Sequence, residues 1–370
     1  LPYTTNVSSV LATITTKNSG LVYLKNIKET EDEEDTFIYH SSEDSIDFSE
    51  PRTLRILALN GEVWRDYEVK VNVHQQPADS MNWQQMATID ELAQMAHLKV
   101  IATGEERFIL GSDDTTTQLW VANADGTAWT VGNTAFDGDA WKNTVVKNND
   151  LFVLSSGEIQ RMSSGSWTAI TPDKTLQQLV AAASTALFAL SADGTLMISD
   201  DDGATWTEEQ VDDTEAPLPT ADMSYTVRTT KTNSEIERVT LFGTSNASDY
   251  LLAWSKLIDT KKADNTTEWS FVDTAGDTRY VAPKLAGMTV INYDGTDMAF
   301  GQQADGTMST TLQSYDSGIT WKKNTTIVLP DELATGVPFG IAADSANYLW
   351  IIDHSGQVWR GRINRLGWGK

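Results

Sequence analysis

The sequence contains no cysteine, which excludes disulfides, thiolate metal sites and a cysteine nucleophile together. That absence leaves the compartment open, because a chain of 370 residues can be stable outside the cell without disulfides. Positive charge is also scarce: 27 Lys and Arg stand against 52 Asp and Glu, a formal net charge of -25. Nucleic-acid binders concentrate cations on one face to displace counterions, so nucleic acid is excluded as a partner class, and anionic lipid headgroups are repelled. No apolar run approaches the roughly 18 residues of a membrane helix, and no basic segment followed by an apolar one opens the chain. The four histidines, His40, His74, His97 and His354, are scattered without metal-ligand spacing. There is no G-x-S-x-G elbow, H-E-x-x-H helix or phosphate loop, and neither a metal nor a cofactor is expected.

What is present is strand and aromatic. Hydrophobic residues make up 40% of the chain and there are 13 Trp, enough for a large core divided between two domains. Residues 1–76 alternate with period two in short stretches: 21–24, 36–39, 54–57 and 67–73. Asn60-Gly61 between the last two predicts a two-residue hairpin turn, and the whole reads as a small immunoglobulin-like β-sandwich. The acidic run Glu31 to Asp35 reads as a solvated loop tip, with a calcium loop as the alternative. Residues 75–79 form the linker.

From residue 80 to 370 the chain repeats itself. The segments 107–110, 151–154, 187–190, 241–244, 299–302 and 349–352 each carry an aromatic at the second position, and these recur at roughly 36 to 58 residues. That is the span of a four-stranded propeller blade with variable loops, so a six-bladed β-propeller is expected. Two further segments read S-x-D-x-G-x-T-W, namely Ser199, Asp201, Gly203, Thr205 and Trp206, then Ser314, Asp316, Gly318, Thr320 and Trp321. Gly permits a tight turn, the carboxylate can accept backbone N–H groups within it, and Trp can plug between sheets. A worn copy stands at residues 125–129. Residues 81–86 resemble an outer strand and are expected to close the ring beside residues 357–363, with Gly367-Trp368 as the competing closer.

These turns resemble the Asp-box (BNR, sialidase-like) repeats of sialidases, sortilin-type propellers and xyloglucanase-type glycoside hydrolases. The whole chain, with its ending at residues 359–368, is most similar to a Bacteroides-type family of exported proteins with an immunoglobulin-like N-terminal domain. That resemblance implies an exported protein, periplasmic or at the cell surface and lipid-anchored through a segment absent here, and it implies no activity. The start at Leu1 rather than Met fits a trimmed or processed protein. The resemblance also implies that Asp201 and Asp316 are structural and lie on the face opposite an active site.

Sialidase chemistry requires three arginines around a carboxylate, a Tyr-Glu pair and an acidic acid-base group, and the arginine-isoleucine-proline opening is missing. A glycoside hydrolase with two carboxylates on the loop face remains the alternative to a non-catalytic binding protein. The loops opposite the Asp-boxes carry the candidate ligand-binding residues Trp141, Asp137, Asp139, Arg279, Tyr280, Asp353 and His354, with Asp193 and Asp305 in neighbouring turns. Aromatic faces beside carboxylates suit a glycan first and a cell-envelope protein second. Asp137 and Asp139 are also candidate calcium ligands, and a monomer is expected.

Overall fold

The computed structural model describes all residues except 18, 28–33, 105, 263–266, 274–277, 335, 337 and 366–370. Most of the acidic run and the Gly367-Trp368 segment therefore lie outside the described residues. The chain is all-β, with two short 3-10 turns and no α-helix among the described residues. It divides into two compact units, Leu1–Ser80 with Asn364–Lys370, and Met81–Ile363.

In the first unit a four-stranded antiparallel sheet runs in the order Phe37–Tyr39, Leu21–Lys25, Arg52–Leu57, Trp64–Val69. Val10–Leu11 pairs separately with Ser45–Ile46. Val22 and Leu54 point to one side of the larger sheet and form the core with Ile46 and Phe48. The turn expected at Asn60-Gly61 is wider than two residues. Ala58 and Val63 close it, only Gly61 adopts positive φ, and the Asn60 side chain accepts the Glu62 N–H. That side-chain turn lets the last strand begin at Trp64, earlier than the periodicity predicts. Asn364 joins this unit because its amide donates to the carbonyls of Gln76 and Pro77, while its carbonyl accepts from Asp79.

The second unit is a β-propeller, and its described residues form six four-stranded antiparallel sheets. Within each, the second strand is largely buried: Arg107–Ser112, Asp150–Ser155, Leu187–Ser191, Ile236–Thr244, Thr296–Gln302 and Leu349–Ile352. Their aromatics Phe108, Phe152, Phe188, Phe242, Phe300 and Trp350 are all essentially inaccessible. Such strands are buried on both faces, because a propeller sheet is sandwiched between two others. The inner strands His97–Ala102, Thr144–Lys147, Leu176–Ala182, Ala221–Thr229, Ala286–Tyr293 and Gly340–Ala343 follow one another, and the last lies against the first. The sixth sheet takes its outer strand from the beginning of the unit: Met81–Thr88 pairs antiparallel with Gln357–Ile363. First and last strands thus share one ladder, which closes the ring.

Neighbouring sheets are keyed together by rings. Trp129 of the first sheet meets Trp350 of the sixth edge-on at 6.3 Å, Trp269 of the fourth meets Phe188 of the third at 5.1 Å, and Trp321 of the fifth meets Phe242 of the fourth at 5.9 Å. Trp206 of the third sheet is buried in one cluster with Phe152 of the second. Each pairs a ring at the start of an outer strand with the second-strand aromatic of the preceding sheet. The turn before it must come close, and glycine allows this: Gly318 has φ +97° and a Cβ there would stand 2.9 Å from Phe242.

Gly157 also has positive φ but would place a Cβ in open space, so it separates backbone strain from crowding. In denaturant unfolding, Gly157→Ala is expected to cost about 1 kcal/mol and Gly318→Ala about 1–3 kcal/mol more, the overpacking component. Equal costs would show that the close approach contributes nothing.

Candidate functional site

Antiparallel connectivity gives the propeller two ends. At one, the turn end, lie the first-to-second and third-to-fourth strand turns. At the other, the loop end, lie the second-to-third turns and the sheet-to-sheet connections. The two S-x-D-x-G-x-T-W turns have the same hydrogen bonds. The Asp201 carboxylate accepts Ser199 Oγ at 2.8 Å, Thr205 N at 2.9 Å and Thr205 Oγ1 at 2.7 Å, while Ser199 Oγ accepts Gly203 N at 2.9 Å. Asp316 repeats this with Ser314 and Thr320, and Gly318 N donates to Ser314 Oγ. Burial pushes both carboxyls upward, but the hydrogen bonds outweigh it and hold them below the usual range.

Beside the first of these turns a cleft of about 520 Å³ opens between the second and third sheets. Its wall includes Lys147, Asn148, Asp150, Arg161, Thr185 and Asp202. Arg161 lies over the Phe152 ring at 5.5 Å and donates from Nε to Asp150 at 2.8 Å and from Nη1 to Asp202 at 2.7 Å. Lys147 Nζ holds the other Asp202 oxygen at 2.7 Å. The Asp150 hydrogen bond, with both nearby carboxylates, raises the guanidinium above its ordinary value. Asn148 Nδ2 donates to the Ser184 carbonyl at 2.7 Å. Thr185 Oγ1 is buried in the lining with no hydrogen-bond partner.

Part of this arrangement recurs around the ring as a staple between sheets. Arg228 of the fourth sheet reaches Asp297 at 2.6 Å and Ser317 Oγ at 2.8 Å in the fifth. Arg360 of the sixth lies 5.7 Å from Trp350 and reaches the Asp125 carbonyl of the first at 3.4 Å. The sequence carried a signal for the cleft. Asp200 and Asp202 flank an Asp201 that already meets the turn's needs, and Arg161 stands across the ladder from Phe152 as Arg360 does from Trp350.

At the loop end, the residues read from the sequence occupy three separate places. Asp137 accepts the backbone N–H groups of Asp139 and Ser156, which ties the connection between first and second sheets. Asp139 pairs with Lys142 at 2.8 Å. Trp141 is half-buried and stacks on His97 at 4.4 Å with an 8° tilt, and His97 Nε2 lies 2.9 Å from Asp114. Asp353 is fully buried, accepting from Ala334 N, Ser355 N and Ser355 Oγ. His354 follows it in the same turn. Arg279 lies over Tyr280 at 5.5 Å, and the Tyr280 carbonyl accepts the Trp321 N–H at 2.7 Å. Asp193 and Asp305 are held below the usual carboxylate range by Ser191 and Thr307. Among the described residues no group of three or more His, Asp or Glu could hold a metal, Asp137 and Asp139 included.

The family model described as "DUF6242 beta propeller domain" matches residues 77–370, and that of the "Domain of unknown function (DUF6242) N-terminal domain" matches residues 1–71. The chain belongs to the DUF6242 family. No curated protein matches it. Among solved structures, "YCF48 bound to D1 peptide" is 13% identical with a TM-score of 0.42, covering 78% of this chain and 97% of that one. An auxiliary nutrient binding protein from Bacteroides thetaiotaomicron is 10% identical with a TM-score of 0.46, covering 92% and 90%. A luciferin-regenerating enzyme is 11% identical with a TM-score of 0.47, covering 76% and 95%. Likenesses of this size carry no argument about function.

Inside the DUF6242 propeller, two polar side chains bridge the inner strands. Tyr225 of the fourth sheet accepts the Val146 N–H of the second at 2.9 Å and donates to the Val146 carbonyl at 3.1 Å; burial pushes its hydroxyl up to about 12. Lys99 of the first sheet donates to the Thr144 carbonyl of the second at 2.8 Å, and burial lowers its ammonium to about 8. A lysine lowered on folding carries no penalty above its unfolded pKa, where both states are neutral. The penalty grows as pH falls towards 8 and is complete below it. Lys99→Met, which loses one hydrogen bond but removes that penalty, is expected to stabilise the protein by about 1–2 kcal/mol at neutral pH. Thermal and denaturant melts across pH should show the gain shrinking as pH rises through about 8 and gone by about pH 10.5. A gain independent of pH would mean that burial of the charge is not its source.

Proposed function

We propose that this is a non-catalytic, exported binding protein whose propeller takes a glycan as its first ligand class and a protein as its second. The observation that carries the reading is the cleft at the turn end. Its lining offers planar or hydroxyl hydrogen-bonding groups in fixed positions, the Arg161 guanidinium, the Asn148 amide, the Asp150 and Asp202 carboxylates and the Thr185 hydroxyl. Such groups match the hydroxyls of a sugar, and the partnerless Thr185 Oγ1 would gain a partner from a bound hydroxyl.

A hydrolase needs one carboxyl raised to act as an acid and a second one opposite it. In the cleft, Asp150 and Asp202 are neutralised by Arg161 and Lys147 instead. At the loop end, Asp137 and Asp353 are engaged by backbone N–H groups, and Asp193 and Asp305 are held ionised. Both findings favour binding over chemistry.

A glycan array probed with the labelled full chain, beside Asn148→Ala and Thr185→Val, tests this. Expected is binding to a defined neutral glycan set that falls about tenfold in each variant, with circular dichroism unchanged and no glycan released. Binding that survives both substitutions but is lost in Trp141→Ala would move the site to the loop end. Silence across the array from folded protein would overturn the glycan reading.

A further inference from the structure

The first unit has an outer strand that faces solvent along nearly its whole length. Trp64–Val69 pairs with Arg52–Leu57 in an unbroken register over six residues. It bears no proline, lysine or bulge, and its only blunting device is charge, on Arg65, Asp66 and Glu68. Residues 64–68 are all exposed, Trp64 at 55% and Tyr67 at 46%. Ala58 N donates to Val63 O in the same register, and antiparallel hydrogen bonds alternate. The N–H and C=O groups of Trp64, Asp66 and Glu68 therefore point away from the sheet, towards the free edge.

The side chains of the same three residues share one face of the sheet, where rings and the carboxylates of Asp66 and Glu68 stand among the cations Arg55 and Lys25, the latter paired with Asp35 at 2.7 Å. Arg55 lies on it 3.7 Å from the Phe37 ring and 5.1 Å from Trp64, with both nitrogens of its fork held by Asp66 at 2.7 and 2.8 Å. Tyr23 and Tyr39 add two more rings, 5.9 Å apart. Glu68 at the rim is exposed. A second copy of this chain is a poor occupant, since antiparallel pairing of the edge with itself sets Asp66 against Asp66 or Glu68, and like charges across a ladder repel.

We propose that the Trp64–Val69 edge accepts an extended basic segment of another polypeptide as an added strand. Backbone bonds form to Trp64, Asp66 and Glu68, and Lys or Arg at alternate positions lie beside Asp66, Glu68 and the Trp64 ring. This goes beyond the glycan reading and does not depend on it.

The test uses the full chain and a short fluorescent peptide alternating Lys and Thr, with an alternating Glu and Thr peptide as control. Anisotropy is expected to show saturable binding of the basic peptide only, weakened by salt. Glu68→Pro removes an outward N–H without touching the bonds to Arg52–Leu57, and proline is tolerated on an edge strand. It should reduce affinity at least about tenfold with the melting curve unchanged, whereas Glu68→Gln should cost less because the N–H remains. Absence of binding, or binding that Glu68→Pro leaves intact, would overturn the proposal, the latter by showing diffuse attraction to an acidic surface. Self-association in analytical ultracentrifugation that Glu68→Pro abolishes would also overturn it, by making a second copy the occupant.

Discussion

The propeller depends on one repeated contact: the ring at the start of an outer strand seated against the second-strand aromatic of the preceding sheet. Trp129 on Trp350, Trp269 on Phe188 and Trp321 on Phe242 are three instances with direct ring geometry. A propeller sheet has little to pack on except its neighbours, so stability comes from the wedges between sheets rather than from one central core. The box turn serves the wedge. Its carboxylate fixes the loop from within, and its glycine lets the backbone lie on the neighbouring ring.

Electrostatics follow the same wedges. Arg161 and Lys147 meet at Asp202, Arg228 meets Asp297 and Ser317, and Arg360 meets the Asp125 carbonyl, each bridging one sheet to the next. With only 27 cations against 52 acids, cations placed at these junctions offset the self-repulsion of the chain where sheets approach closely. At the junction of the second and third sheets the staple also walls a cleft, so a structural device and a candidate binding site share residues. The carboxylates there are consequently neutralised, which suits recognition better than acid-base chemistry.

The acidic residues of the loop end show what a carboxylate in a tight turn does first. Asp137, Asp353, Asp193 and Asp305 look like ligand groups because they are carboxylates in turns beside aromatics. In the fold each one closes its own turn, accepting N–H or O–H groups within a few residues or from the adjoining sheet. A short polar side chain in a tight turn finds the local backbone first, and only tertiary structure tells which carboxylate has been left over.

The sequence by itself determined the all-β class, the repeat of apolar second strands and their aromatics, and the chemistry of the two S-x-D-x-G-x-T-W turns. All three are local: period-two alternation, a ring at a fixed register, and a turn whose hydrogen bonds close within eight residues. It also carried the exclusions that follow from zero cysteine and a charge of -25. Only the tertiary structure decided that Lys147, Arg161 and Asp202 converge, that Thr185 Oγ1 has no partner, and that the edge at Trp64–Val69 is open with Arg55 held between rings. Those facts depend on which residues distant in sequence become neighbours across sheets, and strand periodicity carries no information about that.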